Sequence, residues 1–140
     1  SIVVRAACLG DLAFAQAAPK SLQIVGDDFL VTNAGRVQAA ARDGALNCAL
    51  IKPNQAGTVT ETKAAFDAAR DAGIGAIVSA RSGETEDVTI VHLAVGWGAK
   101  QLKVGSFTRS ERMVKWNEGL RVADAIGSAA LPPRSAFPWG

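Results

Sequence analysis

The sequence predicts an α/β chain built around a parallel sheet, and three observations lead there. Short apolar runs rich in β-branched residues recur five times along the chain, the signature of strands buried on both faces. The segments between them carry the start and stop chemistry of helices. The strand ends fall near Val3, Asp27, Lys52, Ala80 and Lys103, about 23 to 28 residues apart, close to the roughly 30 residues of one strand-and-helix unit. A crossover helix is what returns the chain to run parallel beside its previous strand.

Taken in order, Ile2 to Val4 is the first strand, and the weak helix from Asp11 to Ala18 is stopped by Pro19. Leu22 to Val25 is the second strand, followed by an Ala-rich helix from Asn33 to Arg42 that Gly44 closes. Ala45 to Ile51 is the third. Thr58 and Glu61 then stand at capping-box spacing, and the helix they open runs to Ala72, with Gly73 as its C-terminal cap. Ile74 to Val78 is the fourth strand, Glu86 to Trp97 a strongly apolar helix, and Gln101 to Val104 the fifth strand. Thr108 and Glu111 repeat the capping spacing, and Met113, Trp116, Leu120 and Ala123 fall on one helical face before Gly127. The stretch after it, "SAALPPRSAFPWG", carries two adjacent prolines and reads as an irregular cover. Five units do not close an eight-strand barrel. Either the sheet is open, or it is the later part of a barrel whose other strands lie elsewhere, which leaves an exposed edge at Ile2 to Val4.

At 140 residues the chain supports one core. Fifteen basic residues against thirteen acidic ones, interspersed to give a net charge of +2, are too weak a field for a nucleic-acid or acidic-membrane surface, so neither partner is expected. The longest apolar stretch, Val88 to Ala99, holds Thr89 and His92 and falls short of the roughly 20 residues that span a bilayer. Asp11 interrupts the opening apolar run where a secretion signal needs continuity, so no leader is expected. Cys8 and Cys48 read as reduced thiols rather than a disulfide framework.

Polar residues gather at the carboxyl ends of the strands: Asp27 and Asp28, Lys52 and Asn54, Arg81 and Ser82, and Lys103. In parallel α/β folds that edge is where sites form, because the loops there converge. Taken singly, Asp27 reads as a turn acid, Arg81 as half of a surface ion pair, and Ser82 and Thr85 as cap donors. Lys52 and Lys103 resist such readings, since a lysine at an apolar strand is desolvated at a cost that an anion or metal site offsets. Arg81 adds a rigid fork of donors, Ser82 a hydroxyl, and the following helix its free N–H groups, together a cradle for phosphate or carboxylate. His92, inside an apolar helix, is expected to be packed in the core.

The stretches "QIVGDDFLVTNAGRVQAAA", "KPNQAGTVTE", "SARSGETED" and "GSFTRSER", in order between Gln23 and Gly127, resemble the C-terminal half of an enolase. The resemblance implies that residues 1–127 are about the last five βα units of an enolase-type TIM barrel, with 128–140 as an irregular tail. It also implies a carbon–oxygen lyase, the Mg2+-dependent phosphopyruvate hydratase of glycolysis, which interconverts 2-phosphoglycerate and phosphoenolpyruvate in the cytoplasm. The partners it implies are that small phosphorylated acid and a homo-oligomer, or a chain completing the barrel. Residue by residue, it makes Lys52 the base that removes the α-proton and Lys103 the cationic partner near the substrate carboxylate. Asp27 becomes a magnesium ligand, and Arg81 and Ser82 bind the phosphate. A Lys base with Mg2+ is the pattern general to that superfamily. Two departures stand against it: Ala80 replaces a substrate-contacting histidine, and Val3 stands where a metal-binding glutamate belongs. They favour the alternatives, a non-catalytic phosphate-ligand binding or assembly module and an enolase-like enzyme of altered substrate.

Overall fold

In the computed structural model, which describes residues 3–6, 11–127 and 130–139, strands and helices alternate as the spacing predicts. The elements are β1 (Val3–Ala6), α1 (Asp11–Ala17), β2 (Gln23–Gly26), α2 (Ala34–Arg42), β3 (Cys48–Ile51), α3 (Pro53–Ala56), α4 (Val59–Asp71), β4 (Gly75–Ser79), α5 (Thr89–Gly96), β5 (Gln101–Lys103) and α6 (Ser110–Ile126). A short 3-10 turn, Arg134–Ala136, sits in the tail. Ile2 and Cys8 lie outside the described residues.

All strand pairs are parallel, in the order β1-β2-β3-β4-β5. Because each strand lies beside the next in sequence and such crossovers share one hand, the crossover helices α1, α2, α4 and α5 fall on the same face of the sheet. Ile24, Ala49 and Ile51 of the strands accordingly pack with Val37 and Ala40 of α2 and Ala65, Phe66 and Ala69 of α4. Val78, Ala80, Ile90, Val91 and Ala94 continue that layer under α5. Strand alternation turns Val25, Cys48, Leu50 and Ile77 to the opposite face, where they form a smaller buried cluster. Burial pushes the Cys48 thiol up to about 12, so it packs as an inert apolar group.

That second face is concave. Gln23 of β2 and Gln101 of β5 exchange side-chain hydrogen bonds of 2.8 and 3.3 Å, although three strand spacings, roughly 14 Å in a flat sheet, separate their backbones. Only a sheet curled toward this face lets them meet. The ladder from Gln101 to Ile77 to Leu50 leads on toward Asp27 rather than Gln23, so the strands are also staggered, as tilted barrel strands are.

Local chemistry explains where the helices begin. The Asn33 side chain accepts from the Arg36 amide at 3.1 Å to open α2, and the Thr58 hydroxyl accepts from the Glu61 amide at 3.1 Å to open α4. The helix expected from Glu86 instead starts at Thr89, because the Asp87 carboxylate takes both the amide (2.8 Å) and the hydroxyl (3.1 Å) of that residue. These two bonds hold the Asp87 carboxyl below the usual carboxylate range. The expected cap at Thr108 is also displaced: α6 starts at Ser110, and the Thr108 hydroxyl donates to Ser106 at 3.2 Å.

Gly26 closes β2 against Leu30 and Leu46, where an added Cβ would lie 2.6 and 2.4 Å from their methyl carbons. Both leucines are buried. Gly26→Ala is therefore expected to cost about 1 to 3 kcal/mol by overpacking, measured by urea unfolding. A cost below about 0.5 kcal/mol would mean that the leucines yield freely.

Candidate active site

Of the polar residues at the carboxyl ends of the strands, strand parity and register put Asp27, Lys52 and Lys103 on the concave face. Asp27 and Lys52 share the side-chain parity of Val25 and of Cys48 and Leu50, which line that face. Lys103 pairs with Ser79 in the β4–β5 ladder, and continuing the β3–β4 register sets Lys52 beside Ser79 from the other side. The two lysines thus flank one serine on one face, with backbones about 10 Å apart.

Asp27 is 1% exposed and Lys52 4%. The Lys52 ammonium forms an ion pair with Asp27 Oδ1, and its Nζ lies 3.5 Å from Oδ1 of the exposed Asp28. Burial in this low-dielectric setting is tolerated because the charges meet. Lys103 is different: its side chain is exposed, so the desolvation argument that singled out both lysines applies to Lys52 alone. The β5 strand ends at the sheet's rim, where water reaches that side chain.

The loop after β2 is tied directly to the lysine. The Lys52 amide donates to the Thr32 hydroxyl at 2.9 Å, and that hydroxyl donates to Gln55 Oε1 at 2.8 Å. Val31 and Thr32 hold φ of 43° and 54°, left-handed values that are strained for β-branched side chains. Hydrogen bonds hold the strain in place where the loop carrying Asp27 meets the strand carrying Lys52.

Arg81 leaves β4 and turns toward the loop after β3, with Nη1 donating to Asn54 Oδ1 at 3.0 Å. Its backbone amide donates to Glu84 Oε1 at 2.6 Å. Ser82 is exposed, and its carbonyl accepts from Arg112 Nη2 at 2.9 Å. The expected contribution of free helix N–H groups to the cradle is not realised: α5 starts seven residues beyond Ser82, and Asp87 takes the Thr89 amide. Of the acids of "SARSGETED", Asp87 caps Thr89 and Glu84 ties the loop to α6. Glu84 bonds Arg81 with one oxygen and Lys115 Nζ with the other, at 2.9 Å.

Two residues here escape a reading by apolar periodicity. Arg112 and Lys115 of α6 are buried, Lys115 fully, whereas Leu120, on the expected apolar face, is 68% exposed. The signal available in the sequence was the charged pair at i, i+3 inside "RSERMVK", on the face that α6 turns inward. His92 is corrected as well: its side chain is 54% exposed and faces Glu118 Oε1 at 3.0 Å. It lies on the outer side of α5, where α6 passes.

The described residues hold no group of three or more His, Cys, Asp or Glu side chains able to bind a metal. Magnesium prefers octahedral oxygen ligation with anionic contributions, and here Asp27 meets an ammonium instead. The described residues therefore do not compose a magnesium site by themselves. A separate cavity of about 650 Å3 opens at the amino end of the strands between Phe66, Trp97, Gln101 and Phe137. Its floor is the Gln23–Gln101 pair, satisfied internally, and Arg70 on its wall is held by Asp67 at 2.9 Å.

The sequence has counterparts among known proteins. The family model of the enolase C-terminal TIM barrel domain matches residues 11–133. Over 124 residues the chain is 49% identical to Enolase 1 of Desulfitobacterium hafniense (strain Y51), an alignment covering 89% of this chain and 28% of that protein. The chain thus spans little more than a quarter of that relative's length. No helix among the described residues is long and apolar enough to cross a membrane. With the parallel, sequentially ordered, curled sheet and the site residues at its carboxyl edge, these matches show that the chain belongs to the enolase family, as part of its C-terminal TIM barrel.

Proposed function

We propose that the chain carries the anion-binding and proton-abstracting portion of an enolase-type lyase acting on 2-phosphoglycerate in the cytoplasm. Residues 1–127 form the barrel portion and 128–140 its tail. The observation that supports this most is the placement of Lys52 and Lys103 on either side of Ser79 on one face, with Arg81 in the next loop. In this reading Arg81 and Ser82 bind the phosphate. Lys103, exposed at the rim, meets the carboxylate and offsets charge that grows on it as the α-proton leaves. Lys52 takes that proton as the neutral amine, for which its ammonium first gives up a proton to solvent and its ion pair with Asp27 breaks.

Asp27 would be the one described residue to offer an oxygen to magnesium, which when bound would supply positive charge beside the substrate carboxylate. The described residues do not complete that set, and Val3 brings an apolar side chain where the family pattern has a carboxylate. A second reading, a phosphate-ligand binding module without turnover, is favoured by that valine and by Ala80, which is buried under α5 with no polar group to offer.

Two assays separate them: phosphoenolpyruvate formation from 2-phosphoglycerate with Mg2+, and deuterium exchange at the α-carbon. The lyase reading expects exchange that Lys52→Ala abolishes, by 10²-fold or more for a lost base. Exchange that survives Lys52→Ala removes Lys52 from the role. Ligand binding with neither exchange nor turnover leaves the binding module.

A further inference from the structure

The motif "RSER" has no part in the reading above, yet its last residue ties together two loops near the site. Arg112 Nη2 donates to the Ser82 carbonyl and Nη1 to the Val104 carbonyl, both at 2.9 Å. Ser82 belongs to the loop after β4, and Val104 directly follows Lys103. One buried guanidinium thus spans both loops. Gly105, at φ 117°, turns the second loop back beside it, so that an added Cβ would sit 3.6 Å from Arg112 Cδ and Nε. One turn further along α6, Lys115 Nζ donates to the Thr85 carbonyl at 2.8 Å and to Glu84, whose other oxygen holds the Arg81 amide.

We infer that Arg112 is a positioning residue that fixes the distance between the phosphate arm, Arg81 and Ser82, and the carboxylate arm, Lys103. The inference rests on the anion-cradle reading above. Guanidinium suits the task because its rigid fork reaches two acceptors in fixed directions, which an ammonium on a flexible stem does not. The role makes a distinctive demand on ligands. A molecule that engages both arms, with a phosphate and a carboxylate, needs the spacing; inorganic phosphate, engaging one arm, does not.

The test titrates phosphoenolpyruvate and, separately, inorganic phosphate into the 15N-labelled full chain, comparing wild type, Arg81→Ala, Arg112→Lys and Gly105→Ala by NMR. Arg112→Lys is expected to weaken phosphoenolpyruvate about tenfold, since small misplacements of binding groups carry large penalties, while inorganic phosphate binds within about twofold of wild type. Gly105→Ala, which disturbs the other jaw, gives the same split and stands in if Arg112→Lys does not fold. Equal weakening of both ligands would mean general loosening and overturn the inference, as would unchanged phosphoenolpyruvate binding. If wild type binds phosphoenolpyruvate and Arg81→Ala does not, the cradle stands whatever Arg112 does. If wild type binds neither ligand, cradle and inference fall together.

Discussion

Lys52→Met is expected to destabilise the chain by about 3 to 5 kcal/mol, because it takes the buried ammonium from Asp27, itself 1% exposed. Two charges withdrawn from water are tolerated as a pair; removing one leaves the other in a medium that solvates it poorly. Asp27→Asn should also destabilise, though less, because Asp28 Oδ1 remains 3.5 Å from the Lys52 Nζ. The double substitution Asp27→Asn with Lys52→Met is expected to cost clearly less than the sum of the two singles. A coupling energy of about 1 to 3 kcal/mol in urea unfolding checks this. Additive costs would show that the pair contributes nothing as a pair. The cycle also bears on function, since a lysine whose partner can be removed cheaply is one whose ion pair can loosen during a reaction.

Lys115→Met is expected to be as costly, about 3 to 5 kcal/mol, although it lies on a helix whose outer side is open to water. Its side chain is completely buried and its Nζ serves Glu84 Oε2, the Thr85 carbonyl and the Glu111 carbonyl, all within 2.9 Å. Methionine fills a similar volume but takes the Nζ donor from the Thr85 carbonyl and leaves the Glu84 charge, 13% exposed, without its ammonium. Thermal unfolding followed by tryptophan fluorescence, Trp116 being stacked on Phe107 at 5.0 Å next to this contact, is the measurement. A useful contrast is Lys63→Ala on α4, whose pairing with Asp67 at 2.6 Å is only partly buried; its expected cost is under about 1 kcal/mol. If the two lysines cost the same, burial is not what makes Lys115 matter.

The strands were legible in the sequence because their composition differs sharply from everything around them. Each of the five expected runs overlaps an observed strand, and the parallel order follows from the spacing. Legible too was the gathering of Asp27, Lys52, Arg81 and Lys103 at one edge, since strand parity and chain direction follow from the pattern alone. The docking of α6 was not. Apolar periodicity assigns a face to Met113, Trp116, Leu120 and Ala123, but the helix is held by Arg112 and Lys115, whose anchors are backbone carbonyls that no side-chain pattern records. The exposure of His92 is hidden in another way: apolar neighbours on α5 suggest burial, yet the residue points to the flank that the Glu118 carboxylate reaches. The left-handed pair Val31 and Thr32 carries no composition signal either, since it depends on hydroxyl bonds to residues about 20 positions away.

The contact between Gln23 and Gln101 has a mechanical consequence. A sheet that must be bent before further strands can join would resist their addition; this one is already an arc, set at its radius by two amides gripping across the hollow. New strands would lengthen the arc along its existing curve, with no bending work left to do.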